Sequence, residues 1–164
     1  MNVLDEQRAR DLAAAATTVL GRMSYLTAER AVGGVALPDR PRVVTVTYTG
    51  SGTTPPGRVH VAAGLELAEL IATGALGRTP TAAEVDDGLR EVAGVLTGHA
   101  LRRLARDDGE TFARGMPRVE PVTEGAWQEA AGRGGAAVLD VEGEPMILWT
   151  SRREKGFAGR GLAA

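Results

Sequence analysis

The sequence predicts a single α+β domain in which long helices lie over a mostly antiparallel sheet. Three observations predict it. Thr81-Ala-Ala-Glu84, directly after Pro80, has the spacing of a capping box and opens a long amphipathic helix. Val43-Val-Thr-Val-Thr-Tyr-Thr49 alternates with the period of a half-buried strand. Two apolar runs, at 136–141 and 145–150, flank Glu142-Gly143 and read as a closing hairpin. A chain of 164 residues is long enough for one such domain with a real core.

Taken in order, residues 4 to 23 place Leu12, Ala16, Val19, Leu20 and Met23 at helical spacing, with Arg8, Arg10 and Asp11 among the polar positions. Residues 31 to 42 are broken by glycine and proline, so they read as a connection holding at most a short strand. In the first long strand Val44, Val46 and Tyr48 share one face and Thr45, Thr47 and Thr49 the other. The glycine- and proline-rich stretch 50–57 is a long turn, and Arg58-Val-His-Val-Ala-Ala63 returns as the second strand. Leu67, Leu70 and Ile71 mark a short helix closed by Gly74 or Gly77. The long helix begins near residue 82 and is expected to run to Gly109, a left-handed cap. Residues 117 to 131 read as a proline-flanked strand and a turn of helix, with alternatives open. The domain is placed at 1–150, and 151–164, with Arg152, Arg153, Lys155 and several glycines, is expected to be a flexible tail.

The bulk properties exclude several function classes. A formal net charge of −2 supplies no basic surface for nucleic acid or an anionic membrane. The absence of cysteine rules out disulfides, thiolate catalysis and cysteine zinc sites, and fits a reducing cytoplasm. Acids and arginines occupy the first eleven residues where a signal peptide needs an apolar run, and no segment has the apolar length of a membrane span. The expectation is a soluble cytoplasmic protein. With only His60 and His99, a histidine- or cysteine-rich metal site cannot be assembled. Glu84, Asp86, Asp87 and Glu91 cluster in sequence, but a solvated helix start that complements the dipole explains them better than Mg²⁺ does. The 50–57 turn lacks the lysine of a phosphate-binding loop and opens no helix, and the serines sit in no nucleophile motif.

The long helix holds the candidate site. At 100° per residue, Val85, Leu89, Val92, Ala93, Leu96 and Ala100 form one apolar face turned away from Glu91. On the side of Glu91 lie Glu84, Asp87, Gly94, Val95, Gly98 and Arg102. Each helical glycine costs about 1 kcal/mol against alanine, so the bare strip at Gly94 and Gly98 calls for a partner or for close approach by another element.

The run Glu91-Val-Ala-Gly94-Val-Leu-Thr-Gly98, followed by Ala100, Arg103 and Leu104, resembles the signature helix of the CheC/CheX-type chemotaxis phosphatases. That pattern is a glutamate, an asparagine three residues on and a glycine four after that. The order of elements over residues 5 to 150 is similar too. The resemblance implies a helix that docks on a phosphorylated CheY-type receiver domain, with the glutamate pairing to a receiver lysine and the asparagine positioning the attacking water. It implies no cofactor of its own, because the receiver supplies Mg²⁺. An amide suits the asparagine role since it both donates and accepts. Here Glu91 matches the glutamate, but Gly94 stands at the asparagine position with no side chain to orient water.

The expectation is therefore a CheX-like receiver-recognition protein whose phosphatase activity is lost or weakened. Asp87, Glu91, Gly94, Gly98 and Arg102 form its partner surface. Two alternatives stand beside it. One is an active phosphatase with a substitute group, His99 being the nearest titratable candidate at about 80° from Glu91. The other is a non-signalling structural or oligomerisation domain packed through the two glycines. Some family members pair through a sheet edge, so the resemblance also allows a homodimer.

Overall fold

The structure, a computed structural model, describes residues 2–152. Helix α1 spans Val3–Ser24, capped by Asn2, whose side chain accepts from the Asp5 N–H at 2.8 Å. Strands β1 (Ala28–Arg30), β2 (Arg42–Gly50) and β3 (Gly57–Ala63) precede α2 (Leu65–Leu76) and the long α3 (Ala82–Leu104). Then come β4 (Phe112–Arg114), β5 (Arg118–Pro121), α4 (Glu124–Ala131), β6 (Ala137–Val141) and β7 (Glu144–Arg152). The strands form one antiparallel sheet in the order β1-β6-β7-β3-β2-β4, and β5 shares the β2 edge with β4. This is the α+β arrangement that the two periodicities predict.

Alternation decides which face meets which layer. Val44 and Val46 of β2, Val61 of β3, Leu139 of β6 and Met146 and Leu148 of β7 are buried under Leu12, Val19 and Leu20 of α1, Leu67 and Ile71 of α2, and the apolar face of α3. The opposite face of the sheet carries a smaller cluster, where α4 packs Trp127 and Ala130 on Ala62 and Ile147. The helices thus lie mainly, not wholly, on one side.

Several boundaries differ from the expectation. The strands β1 and β4, three residues each, are too short for alternation to reveal. Helix α3 ends at Leu104, not at Gly109. Tertiary hydrogen bonds replace helical ones there: the Arg106 N–H donates to Thr54 Oγ1, while the Asp107 and Glu110 carboxylates accept from the N–H groups of Thr53, Gly52 and Thr54. Gly109 keeps its left-handed φ of 71°, but in the turn that follows. Ser151 and Arg152, read as tail, complete β7 opposite Arg58 and Gly57; residues 153–164 lie outside the described residues.

The cap of α2 is Gly77, with φ 70°. Gly74 has another purpose. A Cβ on it would stand 2.8 Å from the Ser24 carbonyl carbon and collide with its oxygen, so the end of α1 sits directly on the backbone of α2. The Ser24 hydroxyl donates to the Ile71 carbonyl at 3.0 Å across the same contact. Gly74→Ala would gain about 1 kcal/mol of helix propensity but forces two backbones apart, which costs about 3 kcal/mol. A net loss of about 2 kcal/mol in denaturant unfolding is expected; a more stable variant would mean that the α1–α2 contact is loose.

Candidate functional site

The capping box at the start of α3 is formed in full. Thr81 Oγ1 accepts from the Glu84 N–H at 3.3 Å, and the Glu84 carboxylate accepts from the Thr81 N–H at 3.1 Å. Arg78 donates twice to the same carboxylate, at 3.0 and 2.6 Å, and with the Thr81 N–H holds it well below the usual range, at about 2. Arg42 of β2 pairs with Asp86 and anchors the first turns of the helix to the sheet. With its start fixed in this way, α3 buries Val85, Leu89, Val92, Ala93, Leu96 and Ala100, the face read from the sequence, together with Thr97 and Leu101.

The opposite side of α3 forms one wall of an open groove of about 790 Å³. Asp87, Glu91, Gly94, Gly98 and Arg102 all line it, so the structure brings together every residue of the expected partner surface. Glu91 and Arg102 are exposed, and neither has a hydrogen-bond or ion-pair partner among the described residues. Asp87 is already engaged by Arg90, one turn on, at 2.8 Å. The four acids considered for Mg²⁺ are dispersed: Glu84 pairs with Arg78, Asp86 with Arg42 and Asp87 with Arg90, while Glu91 has no partner among the described residues. No group of three or more potential ligands converges among the described residues. His99 is half-buried at the groove and makes no hydrogen bond among those residues.

The other wall is the part the sequence did not disclose. Strand β4 pairs with the end of β2, Tyr48 opposite Arg114, and β5 pairs with its beginning, Thr45 opposite Arg118. Between them the Gly115 N–H donates to the Thr47 carbonyl at 2.9 Å, and Met116 and Pro117 rise beside α3, Met116 being 86% exposed. Phe112 packs edge-on against Tyr48 at 6.0 Å and closes one end. From β4, Arg114 reaches across the groove and donates from Nη1 to the Gly94 carbonyl at 2.6 Å. The sequence signal for this wall is no more than Phe-Ala-Arg-Gly-Met-Pro after a polar turn, too short for any period.

This crossing separates the roles of the two glycines. A Cβ on Gly98 would stand 2.9 Å from Arg114 Nη1, so a bare position 98 makes room for the arginine. A Cβ on Gly94 would meet only Pro117 Cγ, at an ordinary 3.7 Å. The close approach at Gly98 therefore comes from a side chain of the same domain, and the groove beside Gly94 stays open. Chemically the site offers a free carboxylate at Glu91 and guanidinium groups at Arg102 and Arg114, a mixed pattern suited to a partner bearing both a cation and an anion.

No protein-family model matches the sequence, and no curated protein does. Solved structures do. A chemotaxis protein CheX from Desulfovibrio desulfuricans superposes with a TM-score of 0.62 at 18% identity, covering 89% of this chain and 99% of that one. The chain has the CheX/CheC-like fold. CheX from Vibrio vulnificus gives a TM-score of 0.61 at 19% identity over 85% and 91% of the two chains. CheX from Borrelia burgdorferi, solved as a CheX-CheY-BeF3-Mg²⁺ complex, gives 0.60 at 17% identity over 88% and 97%. The CheX/CheC-like fold thus accounts for nearly the whole of these relatives, the sheet and the helices above it included. No helix among the described residues is long and apolar enough to cross a membrane.

Proposed function

We propose that this chain is a CheX-like signalling protein that recognises a phosphorylated CheY-type receiver domain through the α3 groove, with aspartyl-phosphate phosphatase activity lost or weakened. The observation that carries the reading is Glu91: an exposed carboxylate with no partner among the described residues, on the open side of the long helix of a CheX/CheC-like fold. A receiver lysine would complete that ion pair, and the receiver would bring its own Mg²⁺. Gly94 supports the second half of the reading, since it has no side-chain amide to donate to and accept from an attacking water. The interaction would take place in the cytoplasm, between two soluble proteins.

The test is to phosphorylate CheY-type receivers of the same organism, add the protein, and follow complex formation and phosphate lifetime together. The expected result is binding without faster loss of phosphate. Glu91→Ala should weaken that binding by about tenfold or more, the magnitude of losing one partner of a charged hydrogen-bonded pair. Loss of phosphate that is accelerated by the wild type and abolished in Glu91→Ala would show a working phosphatase instead.

A further inference from the structure

Among the described residues Arg114 is the side chain that hydrogen-bonds across the groove to α3. The only protein acceptor it has among the described residues is the Gly94 carbonyl, a neutral group on a helix turn. No carboxylate stands within 4.0 Å of it among those residues, although Glu91 and Asp87 line the same groove. A guanidinium has five N–H donors in a planar fork. One of its nitrogen atoms bonds to the Gly94 carbonyl, and its other donors have no protein acceptor among the described residues. β4 pairing sets its backbone opposite Tyr48, the Gly94 carbonyl holds one end of its head, and the bare Gly98 leaves room for it. A fork with no carboxylate partner among the described residues and several donors left over has the chemistry to take an oxyanion.

We propose that Arg114 binds the phosphoryl oxygen atoms of the docked receiver and clamps the acyl phosphate, so that this protein prefers the phosphorylated receiver to the unphosphorylated one. The inference rests on the receiver-docking reading above and adds to it the group that senses phosphorylation. A guanidinium only donates hydrogen bonds. It can satisfy phosphoryl oxygen atoms bidentately. Glu91 then supplies affinity for the receiver in either state, and Arg114 supplies the difference between the states.

The experiment measures the affinity of the full chain for one receiver with and without beryllofluoride and Mg²⁺, the trifluoride standing in for the phosphoryl group. The readout is the ratio of the two affinities. Wild type should prefer the loaded receiver, and Arg114→Ala should lower that ratio by about tenfold or more. Arg114→Lys should restore part of it, since a lysine keeps the charge but not the fork. Gly98→Ala, which crowds Nη1, should lower it while Arg114 is still present. Glu91→Ala should weaken both affinities and leave the ratio standing. A wild-type ratio near one, or a ratio unmoved by Arg114→Ala in a folded protein, overturns the clamp while the docking surface survives. Failure to bind any receiver in either form overturns the docking reading and the clamp with it. Saturable binding of inorganic phosphate alone, lost in Arg114→Ala, would make a free anion the ligand and overturn the receiver as its source.

Discussion

Gly94→Asn should shorten the lifetime of the acyl phosphate on a bound receiver, on the order of a hundredfold, the scale on which correct orientation of a reacting group operates. Space for the new side chain exists. A Cβ at position 94 has Pro117 Cγ as its nearest neighbour at 3.7 Å, an ordinary van der Waals distance, and the helix gains propensity by losing a glycine. The carbonyl that accepts from Arg114 belongs to the backbone and is retained. An asparagine on this face would stand one turn from Glu91, the spacing at which helical side chains act together on one partner. The rate of phosphate loss from a receiver at saturating protein is the measurement. An unchanged rate with unimpaired binding would show that α3 meets the receiver in another orientation.

The prediction also shows where the sequence was informative. Glu91, Gly94, Gly98, Asp87 and Arg102 were placed on one side of α3 by a 100° rotation per residue, and all five line one groove. A helix of 23 residues contains more than six turns, so its period is overdetermined, and its start is marked by a capping box. The same holds for β2, nine residues whose alternation of Val and Thr is long enough to assign a face.

The second wall was not legible, for a physical reason. Strand β4 has three residues, and its position depends on pairing with Tyr48, Thr49 and Gly50, more than sixty residues earlier. Nothing local marks Arg114 as crossing to Gly94. The end of α3 was misplaced for a related reason: a glycine with left-handed φ is indeed present at position 109, but Thr53 and Thr54 capture Asp107 and Glu110 and stop the helix first. Local signals identify residues able to end a helix. Long-range hydrogen bonds decide which of them does.

On the other face of the sheet, His60 should make the stability of the protein fall steeply between pH 6.5 and pH 4. Its ring is 9% exposed, stacks on Trp149 at 4.8 Å, and hydrogen-bonds with Thr45 Oγ1 at 3.0 Å and Ser151 Oγ at 2.7 Å. Both hydroxyls can serve a neutral imidazole, one donating and one accepting. A charged ring would lose its solvation in this place and face the cations of Arg133 and Arg58. Burial first, and those two charges after it, push its pKa down to about 4. The unfolded chain, with an ordinary histidine near 6.5, therefore binds more protons than the folded one in this window. The contribution is fully present above pH 6.5 and disappears as the pH falls toward 4, by about 3 kcal/mol in all at roughly 1.36 kcal/mol per pH unit of difference. The carboxylates of Asp107 and Glu110, held below their usual range chiefly by Thr53 and Thr54, add a further loss only at the acid end of the window and below it. His60→Gln keeps a donor and an acceptor but has no proton to take up, so the difference between the two proteins isolates the histidine. Urea unfolding of wild type and His60→Gln at pH 7 and pH 4.5 should show wild type losing about 2–3 kcal/mol more than the variant. Parallel losses would mean that His60 is solvated and titrates as an ordinary surface residue.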